Sequence, residues 1–152
     1  MLISQILKKS SIIVPLKSAE KDDVIEELID KLNENGLLTD RDDVLDKVMT
    51  REMTRSTGIG QGIAIPHGKS KGVNELIMAM GIASSEIDFD SIDNKPVSIV
   101  ILLVSPAGQT GPHIQALAKI SRLMLDGDFR QKLQDAQDAE EVYNLLSSKE
   151  SE

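Results

Sequence analysis

Cysteine and tryptophan are absent from this 152-residue sequence, and aromatic residues of any kind are scarce, with one tyrosine and two phenylalanines. Without cysteine there is no disulfide, no thiol nucleophile and no thiolate metal site. So few aromatics argue against a stacking platform for single-stranded nucleic acid. They also leave the core to Leu, Ile, Val, Ala and Met. Positive charge is in short supply too: 17 Lys and Arg against 25 Asp and Glu give a net charge of −8. A surface of that sign repels a phosphate backbone and disfavours nucleic acid as a partner, while it speeds encounter with a basic protein. Long apolar runs are missing as well. The N-terminal apolar residues are split by Lys8 and Lys9 and do not read as a signal peptide. No segment approaches the span of a transmembrane helix. The expected location is the cytoplasm, with no direct membrane insertion.

What remains is an ordinary globular composition, long enough for one domain with a real core. Leu2, Ile3, Ile6 and Leu7 share a helical face, and Ile12 to Val14 read as a short strand stopped by Pro15. Ser18 is a candidate cap for a helix whose apolar stripe is Val24, Ile25, Leu28, Ile29 and Leu32, ended by Gly36. Asp40 is a candidate cap for the next, lined by Val44, Leu45, Val48 and Met49 and running to about Arg55. Ile63 to Ile65 form a brief strand, Leu76 to Ala83 a buried one, and Ile87 to Ile92 an edge strand. Val97 to Val104 is the most apolar run, expected as a central strand buried on both faces. A helix capped by Thr110 follows, with Ile114, Leu117, Ile120, Leu123 and Met124 as its core stripe. Gly127 ends it and Asp128 caps another, and Asp138 with Glu141 makes a capping box for the last. The expected class is α/β: a mixed sheet flanked by helices on both faces, one domain over residues 1–147, and a frayed polar tail over 148–152.

Two histidines stand out. His67 follows Ile-Ala-Ile-Pro and precedes Gly68, so Pro66 stiffens the approach and Gly68 lets the backbone turn away. His113 falls in the first turn of its helix, where free N–H groups and the helix dipole favour an anion. A lone loop histidine is more often a surface residue than a nucleophile, and residue types alone leave both readings open. Nucleotide binding is rejected. The stretch Ser56 to Gly62 lacks a Gly-Lys-Ser/Thr ending and a third glycine at position 63, and it precedes a strand rather than a helix. No histidine spacing fits a metal site.

The run from Arg51 to Lys69, Arg-Glu-Met-Thr-Arg-Ser-Thr-Gly-Ile-Gly-Gln-Gly-Ile-Ala-Ile-Pro-His-Gly-Lys, resembles the active-site signature of enzyme IIA domains of the fructose–mannitol class, which includes the nitrogen-regulatory proteins. Ser105 to Leu117, with His113, resembles the later segment of the same family. Gln61 stands where many members carry Asn, and Gly111-Pro112 replace charged or polar residues before His113. The resemblance extends from about Leu2 to Leu146. It implies that His67 is phosphorylated on Nε2 while its Nδ1–H is held, that His113 contacts the phosphoryl group, and that Arg51 is the active-site arginine. Ser56 and Thr57 are expected to help hold the phosphate. No metal, nucleotide or other cofactor is implied, because the donor would be the histidine phosphocarrier protein. The acceptor would be an enzyme IIB domain in sugar transport, or a regulated target protein. A sequence with no fused IIB or transporter segment leans this reading toward the nitrogen-regulatory branch. A partner-binding module without phosphotransfer is the remaining alternative.

Overall fold

The computed structural model describes all 152 residues. In chain order they form α1 (Ile3–Ile6), β1 (Leu7–Ile13), α2 (Lys21–Glu34), α3 (Arg41–Thr54), β2 (Gly58–Gly60), β3 (Ile63–Ala64), β4 (His67–Lys69), β5 (Ile77–Ile87), β6 (Val97–Ser105), α4 (Thr110–Leu123), α5 (Gly127–Gln134) and α6 (Ala139–Glu150). The strands make one six-stranded sheet in the order β1-β5-β6-β3-β2, with β4 also paired to β6. β1 lies parallel to β5, β5 antiparallel to β6, β3 and β4 parallel to β6, and β2 antiparallel to β3. The sheet is therefore mixed, as the pattern of elements implies.

Helices cover both faces. Ala79, Val100, Leu102 and Val104 meet the apolar stripes of α2 and α3. Met80, Ile99, Ile101 and Leu103 meet α1, α4, α5 and α6. Successive β6 side chains alternate between these two cores, so every position from 99 to 104 must be apolar. That is why the run reads as unbroken, and why β6 sits at the centre. No helix is long and apolar enough to cross a membrane.

Several local expectations are corrected. The first helix is a single turn, and Leu7 already opens β1, pairing with Met78 before an irregularity resets the register at Ile12 and Met80. The exposed Lys8, Lys9 and Ser10 hide that strand from an apolar pattern. Residues 88–92 are not a separate edge strand: β5 itself runs on to Ile87, which pairs with Val97. Glu20 rather than Ser18 precedes α2 as its cap residue. Asp40 caps α3 as expected, accepting from Asp43 N. Gln109, not Thr110, is the cap position of α4. Asp126 rather than Asp128 caps α5.

The capping box at Asp138 is half realised. Asp138 accepts from Glu141 N, but Glu141 reaches the backbone N–H of Gln137. The last helix also passes Ser147 and runs to Glu150 without fraying there. The Glu150 carboxylate accepts hydrogen bonds from Ile3 N (2.6 Å) and Ser4 N (2.8 Å) and pairs with Lys119 at 3.3 Å. Polar residues hold the end of α6 because the start of the chain supplies their partners.

Candidate functional site

Strand parity aims the first histidine. β3 and β4 follow the same side of β6 without a change of register, with Ile63 opposite Ile99 and His67 opposite Leu103. Between them the chain leaves the ladder for two residues. Ile65 N turns to Thr57 O (3.1 Å), and Pro66, which has no N–H, keeps only its carbonyl on Leu103 N (3.0 Å). Ile63 and Ile65 belong to the core under α4. His67, two residues on, faces the same way.

Gly68 does not turn the backbone away; it continues as β4 and lets α3 come close. A side chain there would stand 3.2 Å from the backbone nitrogen of Val48.

Helix α4 aims the second histidine. Its buried face is His113, Ala116 and Ile120, while Ile114 is 59% exposed. The expected stripe is thus rotated by about one residue, because His113 occupies a core position. It can do so because Ser105, at the end of β6, lies on the same sheet face as Ile101 and Leu103. Its hydroxyl meets His113 Nδ1 at 2.6 Å. The two imidazoles end with centroids 5.4 Å apart and planes inclined at 58°.

The proton positions follow from these bonds. His67 Nδ1 donates to the Ile65 carbonyl at 2.8 Å, which places its lone pair on Nε2. The Ser105 hydroxyl can either donate to His113 Nδ1 or accept from it, and His113 carries its proton on Nε2 where the serine donates. Burial, and then the positive charge of Arg51, hold His67 below the ordinary histidine range, against an opposing pull from the Ile65 carbonyl and Glu52. His113 is lowered to about 4 by burial and by the neighbouring His67 and Lys69. Burial disfavours the charged form of both rings, and His67 offers the lone pair of Nε2.

Arg51, on the last turn of α3, lines the same depression as His67 and donates from Nη1 to Arg55 O (2.9 Å). Ser56 and Thr57 also line it, with Ile59, Ile92 and Leu117. Their hydroxyl protons are already engaged. Ser56 Oγ donates to Phe89 O (2.5 Å), and Thr57 Oγ1 donates to Glu52 Oε1 (2.5 Å). His67 thus stands beside His113 and shares a depression with Arg51, and the two hydroxyls are built into the wall of that depression.

Three residues around the site have no role in the sequence reading: Ser105, Glu52 and Lys69, whose Nζ donates to Thr110 Oγ1 at 2.9 Å. A signal for Glu52 exists, since it extends the four-residue spacing of Val44 and Val48 and so lies on the buried face of α3. Strand parity is the corresponding signal for Ser105. No three His, Cys, Asp or Glu side chains converge as a metal site needs. A nucleophilic imidazole beside an N–H donor and a guanidinium suits a transferable oxyanion.

The family model described as the phosphoenolpyruvate-dependent sugar phosphotransferase system, EIIA 2, matches residues 5–149. The chain is 34% identical over 149 residues to a nitrogen regulatory protein of Bradyrhizobium diazoefficiens, covering 97% of this chain and 95% of that protein. It is 32% identical over 147 residues to a fructose-specific EIIABC component of Bacillus subtilis, covering 97% of this chain but spanning only 23% of that longer protein. The crystal structure of the nitrogen regulatory protein IIA-Ntr of Neisseria meningitidis superposes with a TM-score of 0.86 at 34% identity, over 95% of this chain and 98% of that one.

Proposed function

Because this chain belongs to the EIIA 2 family of the phosphoenolpyruvate-dependent sugar phosphotransferase system, we propose that it carries a phosphoryl group on Nε2 of His67, received from the histidine phosphocarrier protein. The observation that carries this reading is the paired imidazoles, each with Nδ1 tied to the fold and Nε2 left free. The lone pair of His67 Nε2 attacks the phosphorus of the donor phosphohistidine. The donor P–N bond breaks and its electron pair returns to the donor ring. The proton on His67 Nδ1 stays in place on the Ile65 carbonyl.

Charge on the three equatorial oxygens needs fixed donors more than covalent help. His113 Nε2–H and Arg51 are those donors. Ser56 and Thr57, with their protons committed, serve by holding the wall. Ile59 (42% exposed) and Ile92 (62% exposed) give the rim an apolar surface for a partner protein.

The nitrogen-regulatory role is supported by near full-length matches to such proteins in sequence and structure, as the sugar-specific role is by a fructose-specific EIIA component matched over 84% of its length. A sugar-specific role, with an enzyme IIB as acceptor, is supported by the fructose-type relative. A binding module without transfer has no use for two imidazoles poised in this way. Labelling from phosphoenolpyruvate through enzyme I and the phosphocarrier tests the carrier role; His67→Ala should take up no label, and label on another residue refutes it. Rapid onward transfer to a fructose-type enzyme IIB assigns the sugar role. Retained label with phosphorylation-dependent binding to a regulated protein assigns the other.

A further inference from the structure

Glu52 is a carboxylate with a side chain only 3% exposed, on the turn of α3 that carries Arg51. Its charge is compensated on all sides. Oε2 accepts from Thr57 N (2.7 Å), Oε1 from Thr57 Oγ1 (2.5 Å), and Lys21 Nζ stands 3.0 Å from Oε2. Lys21 in turn lies over the Phe89 ring, 5.1 Å from its centroid. Burying an ion pair like this costs desolvation that an apolar pair would not. Stability alone gives little reason for it.

The bonds continue toward the imidazole. Thr57 O accepts from Ile65 N at 3.1 Å, and Ile65 O accepts from His67 Nδ1 at 2.8 Å. Residue 65 lies between the last β3 rung, Ala64 opposite Val100, and the bond from Leu103 N to Pro66 O, and its own N–H is held by Thr57 O, so Glu52, which holds Thr57, bears on where the Ile65 carbonyl points. We propose that Glu52 is a positioning residue for His67: through Thr57 and Ile65 it fixes the imidazole on the Nδ1–H tautomer that leaves Nε2 free to react. This rests on the phosphocarrier reading for its purpose, though the chain of bonds itself does not. The groups facing His67 that also bear on its titration are Arg51, which opposes the proton, and His113, which is neutral.

The test is nitrogen-15 NMR of the His67 ring in the unphosphorylated full chain, for wild type, Glu52→Gln, Thr57→Val and Thr57→Ser, with the rate of phosphorylation by the phosphocarrier as second readout. Glu52→Gln should lower the His67 pKa by roughly half a unit or more. It should also populate the Nε2–H tautomer and slow phosphorylation about tenfold at saturating donor, with KM little changed. Thr57→Val should give a smaller change of the same sign, and Thr57→Ser, which keeps the hydroxyl, should restore wild-type values. A purely structural role predicts weaker folding without a tautomer change. If Glu52→Gln does not fold, the Thr57 pair decides. Unchanged ring shifts and pKa in Glu52→Gln and Thr57→Val overturn the proposal. A wild-type chain that takes no label refutes the function while leaving the NMR result to judge the positioning.

Discussion

The rings of His67 and His113 stand 5.4 Å apart between centroids, and each has its Nδ1 tied to a different strand end: Ile65 for one, Ser105 for the other. The pair is thus built by the sheet rather than by either loop. β3–β4 presents the first ring, β6 holds the second, and α4 closes over both. The Ile65 carbonyl keeps the His67 proton on Nδ1, and the Ser105 hydroxyl bears on the tautomer of His113, so changes in the ties should appear as changes in reactivity.

Removing the Ser105 hydroxyl frees His113 to place its proton on either nitrogen. Ser105→Ala should slow phosphoryl uptake about tenfold while the fold persists, and His113→Ala should slow it by roughly 100-fold or more, as expected for a lost charge-stabilising donor. Single-turnover labelling rates, with circular dichroism as a check of folding, measure both. Equal rates in the Ser105 variant and wild type would show that the hydroxyl does not set the tautomer.

Acid should weaken the fold through these same rings. His113 titrates near 4 when folded and near 6.5 in an ordinary setting, because of burial and the adjacent His67 and Lys69. Between those values the unfolded chain binds a proton that the folded chain refuses. Stability is complete above pH 6.5 and declines toward pH 4, by up to about 3 kcal/mol from this residue. His67, also lowered, acts in the same direction. Urea unfolding at stepped pH should show His113→Asn losing part of this slope; an identical slope would contradict a buried neutral His113.

Gly68 tests the contact between α3 and β4. A methyl group there would meet the Val48 backbone at 3.2 Å, and a helix backbone cannot rotate away as a side chain can. Gly68→Ala should cost about 1–3 kcal/mol in denaturant unfolding. Gly108→Ala, with nothing within 4 Å of the new atom, is the neutral control.

Glu150 joins the two ends of the chain. Glu150→Ala removes the acceptor for two backbone N–H groups and leaves Lys119 with only the Met1 carbonyl, and should cost about 2–4 kcal/mol. Hydrogen exchange should then accelerate at Ile3 and Ser4. Unchanged exchange there would mean that the carboxylate does not hold the N-terminus.

The layered fold was readable because each layer has a distinct period. Val97 to Val104 must satisfy two cores, and the stripe from Val24 to Leu32 one. His67, His113 and Arg51 were legible as candidates because they sit in long motifs. What escaped was set by distant partners. β4 is His-Gly-Lys, with no β-branched residue to announce a strand, and only β6 makes it one. Leu7 to Ser10 carry a strand on mostly exposed residues. Ser56 and Thr57 looked like free hydroxyls because Phe89 O and Glu52, which take their protons, lie on other elements. His113 displaced Ile114 from the core face because Ser105 offers a buried ring nitrogen a partner, and that pairing spans a loop.

The most direct test of the carrier account is NMR of the chain after phosphorylation by the phosphocarrier, with phosphorus-31 and ring nitrogen-15 read together. The expected product is one phosphoramidate, bonded to Nε2 of His67, with the proton retained on Nδ1. Phosphorus on Nδ1, on His113 or on any oxygen would contradict it.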